Sequence, residues 1–187
     1  MPDSPSVADL SRTTLYSFTL PQISNAGRPA IEFCHPAHSS PYNRRVAGLN
    51  ILFVCVGNSC RSPMAEAIAR KLGGGFIEAR SAGLAPAGWI AERTLTTLEF
   101  LGYSTDGLSS KGLDAVSSVE IDVVISLLGE ETLDLMTVAA GARHDAWPIL
   151  DPFGEDEEVY IDVARRLEAR IRRLLEEELD RELPGLS

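Results

Sequence analysis

Two residues in this sequence, Cys55 and Arg61, combine a nucleophile with a cation across a loop of five residues. Backbone N–H groups in such a loop can turn inward around a tetrahedral anion, at the positive end of a following helix. The Arg61 guanidinium adds a planar, permanently charged fork that binds two oxygens of the anion at once. The positive field of these N–H groups, the helix end and Arg61 also favours a thiolate at Cys55, and a thiolate can attack phosphorus.

The residues on either side of this loop have the composition of a strand and a helix. The run 51–54 is apolar, as a buried parallel strand requires. Ser62 suits the N-cap of a helix and Pro63 its first helical position. A structural Cys and a surface Arg at this spacing by accident are the alternative, and the agreement between motif and context argues against it.

Strands and helices alternate along the chain from residue 49 onward. Strands are predicted over 50–55, 76–81, 121–126 and about 146–150, and helices over 62–72, about 90–101, 130–140 and about 155–179. This order predicts an α/β fold of three layers, a central four-stranded parallel sheet with helices on both faces. The phosphate-binding loop then follows strand one, at the edge where open α/β sheets bind ligands.

Three segments resemble the low-molecular-weight protein tyrosine phosphatases and their relatives, the thioredoxin-coupled arsenate reductases. Residues 54–67 are similar to the family signature almost residue for residue, 81–84 to the segment after its second strand, and 151–154 to its acid loop. The resemblance runs from about 49 to about 179. It implies a catalytic domain over 49–187 and leaves 1–48 uncovered.

The resemblance implies a role for each matching residue. Cys55 is the nucleophile that forms a cysteinyl phosphate, and Asp151 first protonates the leaving group and then activates water. An Asp-Pro pair by itself is only a turn signal, so this role depends on the resemblance. The phosphate loop consists of Val56, Gly57, Asn58, Ser59, Cys60, Arg61 and Ser62.

Other roles near the loop have alternatives in the sequence. By resemblance, Ser62 also donates a hydrogen bond to Cys55 and Asn58 holds the loop open, although Asn is also a common turn residue. Cys60 is either a small packed residue or a redox partner that protects Cys55 through a reversible disulfide. Trp89 and Phe153 are candidates for the aromatic pocket wall of the family, or core residues.

The two branches of the family differ in features that this sequence mixes. Residues 124–131 and 146–152 are closer to the reductases, whereas Ser62-Pro63 is the phosphatase form. Leu128 stands where a resolving cysteine is expected, and no cysteine follows Cys60. We therefore predict a phosphatase acting on a phosphorylated protein or a small phosphate monoester. An arsenate reductase using an external small thiol or redoxin, and a non-catalytic phosphate-binding module, are the alternatives.

Charge and composition exclude several classes of partner. Of the net charge of −10, residues 49–187 carry −11 and residues 1–48 carry +1. An acidic domain argues against nucleic acid, and no apolar run approaches the roughly 20 residues of a membrane span. Three cysteines do not suggest a disulfide scaffold, and a reactive thiolate needs a reducing compartment, so we expect a cytoplasmic protein. Neither metal-ligand spacing nor a cofactor motif is present at Cys34, His35, His38 or His144.

Residues 1–48 differ in composition from the rest of the chain. Residues 1–47 hold seven Ser and six Pro without a sustained period, and only 13–20 has the pattern of a short strand. We expect an N-terminal extension, either a tail or a wrapping segment. A start codon assigned too early, with the chain beginning near Val46, is the third alternative.

Overall fold

The first strand, β1 (Leu49–Cys55), lies inside a four-stranded parallel sheet of order β2-β1-β3-β4. A computed structural model describes residues 48–129 and 141–182. The other strands are β2 (Ile77–Gly83), β3 (Val123–Ser126) and β4 (Arg143–Ala146), and the helices are α1 (Arg61–Gly73), α2 (Glu92–Phe100) and α3 (Glu157–Glu182). Short 3-10 helices cover Gly74–Phe76 and Leu113–Val116. The predicted α/β architecture with a central parallel sheet is confirmed.

Alternating side chains of β1 enter two different hydrophobic clusters. Ile51 and Phe53 pack in the larger cluster, which includes residues of α1, α2 and α3. Leu52 and Val54 face the opposite side, where Val116 of the second 3-10 helix covers them. These four β1 side chains have no exposed area, as expected for a central strand of a parallel sheet.

The strand register brings four strand ends to one edge of the sheet. Cys55 pairs with Gly83, Val54 pairs with Ser126, and Ser126 pairs with Ala146. The segments that follow β1, β3 and β4 therefore meet at this edge. Residues far apart in the sequence are brought together there.

The predicted fourth strand, 146–150, is wrong in position, because β4 ends at Ala146. As an edge strand it has polar, partly exposed residues, and its sequence therefore lacks the apolar run that marks a buried strand. The apolar residues that follow form a loop instead. Trp147 and Ile149 are buried there, and the backbone N–H of Trp147 donates to the Ser126 carbonyl at 2.6 Å.

Other boundaries differ from the predicted ones by a few residues. Phe76 belongs to a 3-10 helix and is 81% exposed, and β2 runs on to Gly83. The predicted third strand loses its first two residues, α2 is shorter at both ends, and α3 begins two residues later than expected. The predicted helix over 130–140 and the predicted short strand over 13–20 lie outside the described residues.

The spacing of apolar residues along the last helix predicts that one of its faces is buried, and the structure confirms this. Its members recur every three or four positions and are all buried, namely Tyr160, Val163, Leu167, Ile171 and Leu174. They belong to the cluster that also contains α1 residues such as Met64 and Ile68. Among the described residues, no helix combines the length and the apolar character that crossing a membrane requires.

We expect Leu167→Ala to lower the free energy of unfolding by about 2–5 kcal/mol, because it leaves a cavity in the hydrophobic cluster that α3 shares with α1. Urea denaturation measures this loss. Arg165→Ala, on the exposed side of the same helix, is the matched control and should stay within about 0.5 kcal/mol of the parent. Equal stability of the two variants would show that α3 does not anchor the core.

Candidate active site

Neighbouring segments hold the loop between β1 and α1 by its carbonyl groups. The carbonyls of Cys55, Val56, Gly57 and Ser59 accept hydrogen bonds from the N–H groups of residues 84, 85, 87 and 91, at 2.8–3.1 Å. No described residue accepts a hydrogen bond from the backbone N–H groups of residues 56–60. These donors are therefore left for a ligand, as an anion site requires.

Backbone geometry allows the end of β2 to lie directly beneath this loop. Asn58 adopts a left-handed conformation with φ of 45°, which Asn tolerates better than most residues. A Cβ atom on Gly83 would lie 2.6 Å from the Val56 carbonyl oxygen and 2.9 Å from the Cβ of Asn58. Only glycine permits this close approach, which is the physical reason for a glycine at the end of β2.

Cys55 is buried at the base of the loop, and its sulfur is 2.9 Å from the Ser62 hydroxyl. The predicted N-cap role of Ser62 is wrong. The helix α1 begins at Arg61 with Cys60 at the N-cap position, and no side chain caps it. Ser62 lies inside the first turn, where its hydroxyl faces the thiol instead of the helix N-terminus.

The Arg61 guanidinium connects three loops at the carboxyl edge of the sheet. Its Nη1 donates to the carbonyls of Leu127 at 3.4 Å and Ile149 at 3.2 Å, and its Nη2 pairs with the Asp151 carboxylate. The buried Nε has no hydrogen-bond partner among the described residues. One N–H of the guanidinium is therefore available for an anion, and leaving it unsatisfied is costly.

Asp151 lies at the open side of the site, with 48% of its side chain exposed. One carboxylate oxygen pairs with Arg61, and the other accepts the N–H of Phe153 at 3.2 Å. The second contact fixes the turn that begins at the Asp-Pro pair. Cys55 and Arg61, predicted as one motif, and Asp151, implied by the resemblance, all line one cavity.

This cavity has a volume of about 230 Å³ and an aromatic mouth. Trp89 and Phe153 are 52% and 60% exposed, and their ring centroids are 6.0 Å apart. They are mouth residues, so the alternative that they belong to the core does not hold. The lining residues are Cys55, Val56, Gly57, Ser59, Cys60, Arg61, Ala87, Trp89, Asp151 and Phe153.

Cys60 is a second buried free thiol beside the cavity. Its sulfur is 3.7 Å from the Tyr160 hydroxyl. Burial raises the pKa of the Cys60 thiol, which keeps it protonated and poorly nucleophilic. The contact with Tyr160 agrees with a packed residue, and the disulfide with Cys55 stays a prediction.

Behind the loop lies a polar cluster that the sequence reasoning missed. Glu66, Ser81 and Lys111 belong to it, and Glu66 is only 1% exposed. A usable signal existed, since Glu66 interrupts an otherwise apolar stretch of α1. On helical periodicity alone, an acidic residue at that position is assigned to the solvated face.

No group of three or more His, Cys, Asp or Glu side chains in the described residues could hold a metal ion. His144 lies on β4, partly buried, where its backbone pairs with Val124. Cys34, His35 and His38 lie outside the described residues.

Comparison with known proteins agrees with this geometry. The family model of the low molecular weight phosphotyrosine protein phosphatase matches residues 50–184. A glutaredoxin arsenate reductase of Synechocystis sp. is 33% identical over 126 residues, covering 67% of this chain and 95% of the reductase. A low molecular weight protein-tyrosine-phosphatase of Bacillus subtilis is 37% identical over 101 residues, covering 49% of this chain and 64% of the phosphatase.

Solved structures show the same fold. An arsenate reductase in the phosphate binding state superposes with a TM-score of 0.61 at 30% identity, covering 69% of this chain and 98% of the reductase. The superposition covers almost the whole reductase, so the two proteins share the fold. The chain belongs to the low molecular weight phosphotyrosine protein phosphatase family, which includes both phosphatases and arsenate reductases.

Proposed function

We propose that this protein is a cysteine-dependent phosphatase that hydrolyses phosphate monoesters, of the phosphotyrosine type, through a cysteinyl-phosphate intermediate. The main support is a set of N–H donors around one thiol that have no acceptor in the part of the chain that the structure describes. Four of the loop residues that carry these N–H groups line the same cavity as Cys55, and so does Arg61, whose Nε is also without a partner among the described residues. Such preorganised donors stabilise the oxygens of a transferring phosphoryl group.

The first step would form a bond between the Cys55 sulfur and phosphorus while the ester P–O bond breaks. Asp151 lies at the mouth where the leaving group exits, and it binds a proton once the substrate anion has taken its place at Arg61. The departing oxygen takes that proton. The bound anion replaces Asp151 as the partner of the Arg61 fork. Trp89 and Phe153 flank the exit and offer apolar faces to an aromatic leaving group.

The second step would return the enzyme to its starting state. Asp151, now ionised, takes a proton from water while the water oxygen bonds to phosphorus. The P–S bond breaks, Cys55 leaves as a thiolate, and inorganic phosphate is released. The Ser62 hydroxyl, 2.9 Å from the sulfur, stabilises that leaving thiolate through a hydrogen bond.

Arsenate reduction is the second candidate, and the 33% identity with the Synechocystis reductase favours it. That reaction needs two electrons, so a second thiol must attack the arsenic-bound Cys55 and form a disulfide as arsenite leaves. No cysteine follows Cys60 in the sequence, and Cys60 contacts Tyr160. An external thiol would have to supply the electrons, whereas hydrolysis needs only water, so we take hydrolysis as the first candidate.

Two assays on the full chain distinguish these functions. We expect hydrolysis of p-nitrophenyl phosphate, and no arsenite formation from arsenate with glutathione and glutaredoxin. Arsenite formation without phosphate release would contradict the proposal and identify a reductase. Absence of both reactions, with phosphate still bound, would identify a phosphate-binding module.

We expect Cys55→Ser to abolish hydrolysis while phosphate binding persists, because the hydroxyl is a far weaker nucleophile and the donor loop is retained. Steady-state assays measure turnover, and calorimetric titration with phosphate measures binding. Cys34→Ser is the control and should keep full activity. Substantial turnover by the Cys55→Ser variant would mean that another group attacks phosphorus.

We expect Arg61→Lys to lower kcat by roughly a hundredfold or more, although the charge is kept. A point charge replaces the planar fork, and the contacts with the Leu127 and Ile149 carbonyls are lost. Arg165→Lys, on the exposed side of α3, is the control. Near-normal kcat in a folded Arg61→Lys variant would exclude the clamp role.

We expect Asp151→Asn to slow alkyl phosphates far more than aryl phosphates with good leaving groups, since only poor leaving groups depend on the acid. The loss for the alkyl substrates should be roughly 10²–10⁴-fold. The ratio of kcat/KM for the two substrate classes is the measurement. An equal loss for both classes would place the general acid elsewhere.

A further inference from the structure

A buried carboxylate, that of Glu66, lies behind the catalytic loop without contacting the cavity. It stands one helical turn after Ser62 on α1 and is 1% exposed. One oxygen pairs with the Arg70 guanidinium. The other accepts the Ser81 hydroxyl and lies 3.7 Å from the Lys111 Nζ.

A chain of hydrogen bonds leads from this carboxylate to the nucleophile. Ser81 accepts one N–H of the Asn58 amide at 2.8 Å, and Ser62 accepts the other at 2.8 Å. The Ser62 hydroxyl is in turn 2.9 Å from the Cys55 sulfur. All five side chains are buried, so water does not substitute for a missing partner.

The chemistry of the groups sets a single direction along this chain. A carboxylate only accepts, so the Ser81 hydrogen points to Glu66 and the Ser81 oxygen is free to accept from Asn58. The backbone N–H of Lys111 donates to the side-chain oxygen of Asn58 at 2.8 Å. Both N–H groups of the Asn58 side-chain amide therefore remain as donors. Ser62 already accepts from Asn58, so its own hydrogen has two acceptors within reach, the Ala82 carbonyl at 3.3 Å and the Cys55 sulfur at 2.9 Å. A charged thiolate is the stronger acceptor of the two, so the hydrogen goes to Cys55 when Cys55 is ionised.

We propose that Glu66 is a positioning residue that orients this chain, so that the Ser62 hydroxyl donates to the Cys55 thiolate. The inference rests on the proposed role of Cys55 as the nucleophile. The Arg70 guanidinium has only donors, so a glutamine at position 66 would turn its carbonyl oxygen to Arg70 and its N–H groups to Ser81. The Ser81 hydrogen would then lose the acceptor that the structure shows, and the chain would lose its direction.

Electrostatics alone predicts the opposite result, which makes the proposal testable. Arg70 and Lys111 face Glu66, while Arg61 and Asp151 are the charged residues at the cavity. Removing the negative charge of Glu66 would leave two cations and favour the thiolate through space. Loss of the oriented hydrogen bond disfavours the thiolate.

The experiment compares the alkylation of Cys55 by iodoacetamide in the full chain and in Glu66→Gln over a pH series. Peptide mass spectrometry with fragmentation separates Cys55 from Cys60. We expect alkylation at neutral pH to slow by about tenfold, because a hydrogen bond to a charged group is lost. The midpoint of the pH profile should rise, and the plateau at high pH should stay unchanged.

Two further variants make the test specific. Glu78→Gln carries the same substitution on the exposed side of β2 and should match the parent. Ser81→Ala breaks the next link without changing charge and should slow alkylation like Glu66→Gln, and it carries the test if Glu66→Gln does not fold. The double variant should be no slower than Ser81→Ala alone, because both changes interrupt one chain.

Three results would overturn the proposal. These are an unchanged or lower pH midpoint in Glu66→Gln, additive effects in the double variant, or faster alkylation at every pH, which indicates a loosened site. The readout does not depend on the reaction catalysed. A parent protein that fails to hydrolyse phosphate esters would contradict the proposed function and leave this test intact.

Discussion

Outward anchoring of the loop carbonyls is the constraint on which the site depends. Each carbonyl of residues 55, 56, 57 and 59 is held by an N–H from the segment after β2, so the peptide planes cannot turn over. The opposite side of those planes presents donors, whose positive field acts on thiol and anion alike. Gly83 permits the close approach, and the hydrophobic packing of β1 keeps the anchor in place.

Much of the fold follows from local patterns in the sequence. Glycines and apolar runs indicated the order of strands and helices, and the spacing on α3 identified its buried face, because burial on one side imposes a period. The limits of β4 were not predictable in this way. An edge strand pairs on one side only and tolerates polar residues, whereas the apolar loop after it packs on β3 without forming a ladder.

The sequence predicted the site residues whose type and motif indicate their chemistry. It did not predict the roles that depend on tertiary contacts. Cys55, Arg61 and Asp151 stand in motifs, and the sheet register brings them together. Ser62 has the residue type and position of an N-cap, but its hydroxyl contacts the thiol of Cys55 on β1 instead. The burial of Glu66 depends on Ser81, fifteen residues away on β2, so no helical pattern discloses it.

The position of Asp151 beyond an edge strand has a consequence for how this fold can diversify. The loop between β1 and α1 follows a central strand, where a change of length would disrupt packing on both faces of the sheet. Asp151, the proposed acid, lies on the loop that follows the edge strand β4, and the Arg61 side chain donates to the Ile149 carbonyl of that loop. The loop after β1, which would bind the tetrahedral oxyanion, can therefore stay constant while the loop after β4, which would act on the bound group, changes. A hydrolase and a thiol-dependent reductase can share the first while exchanging residues in the second.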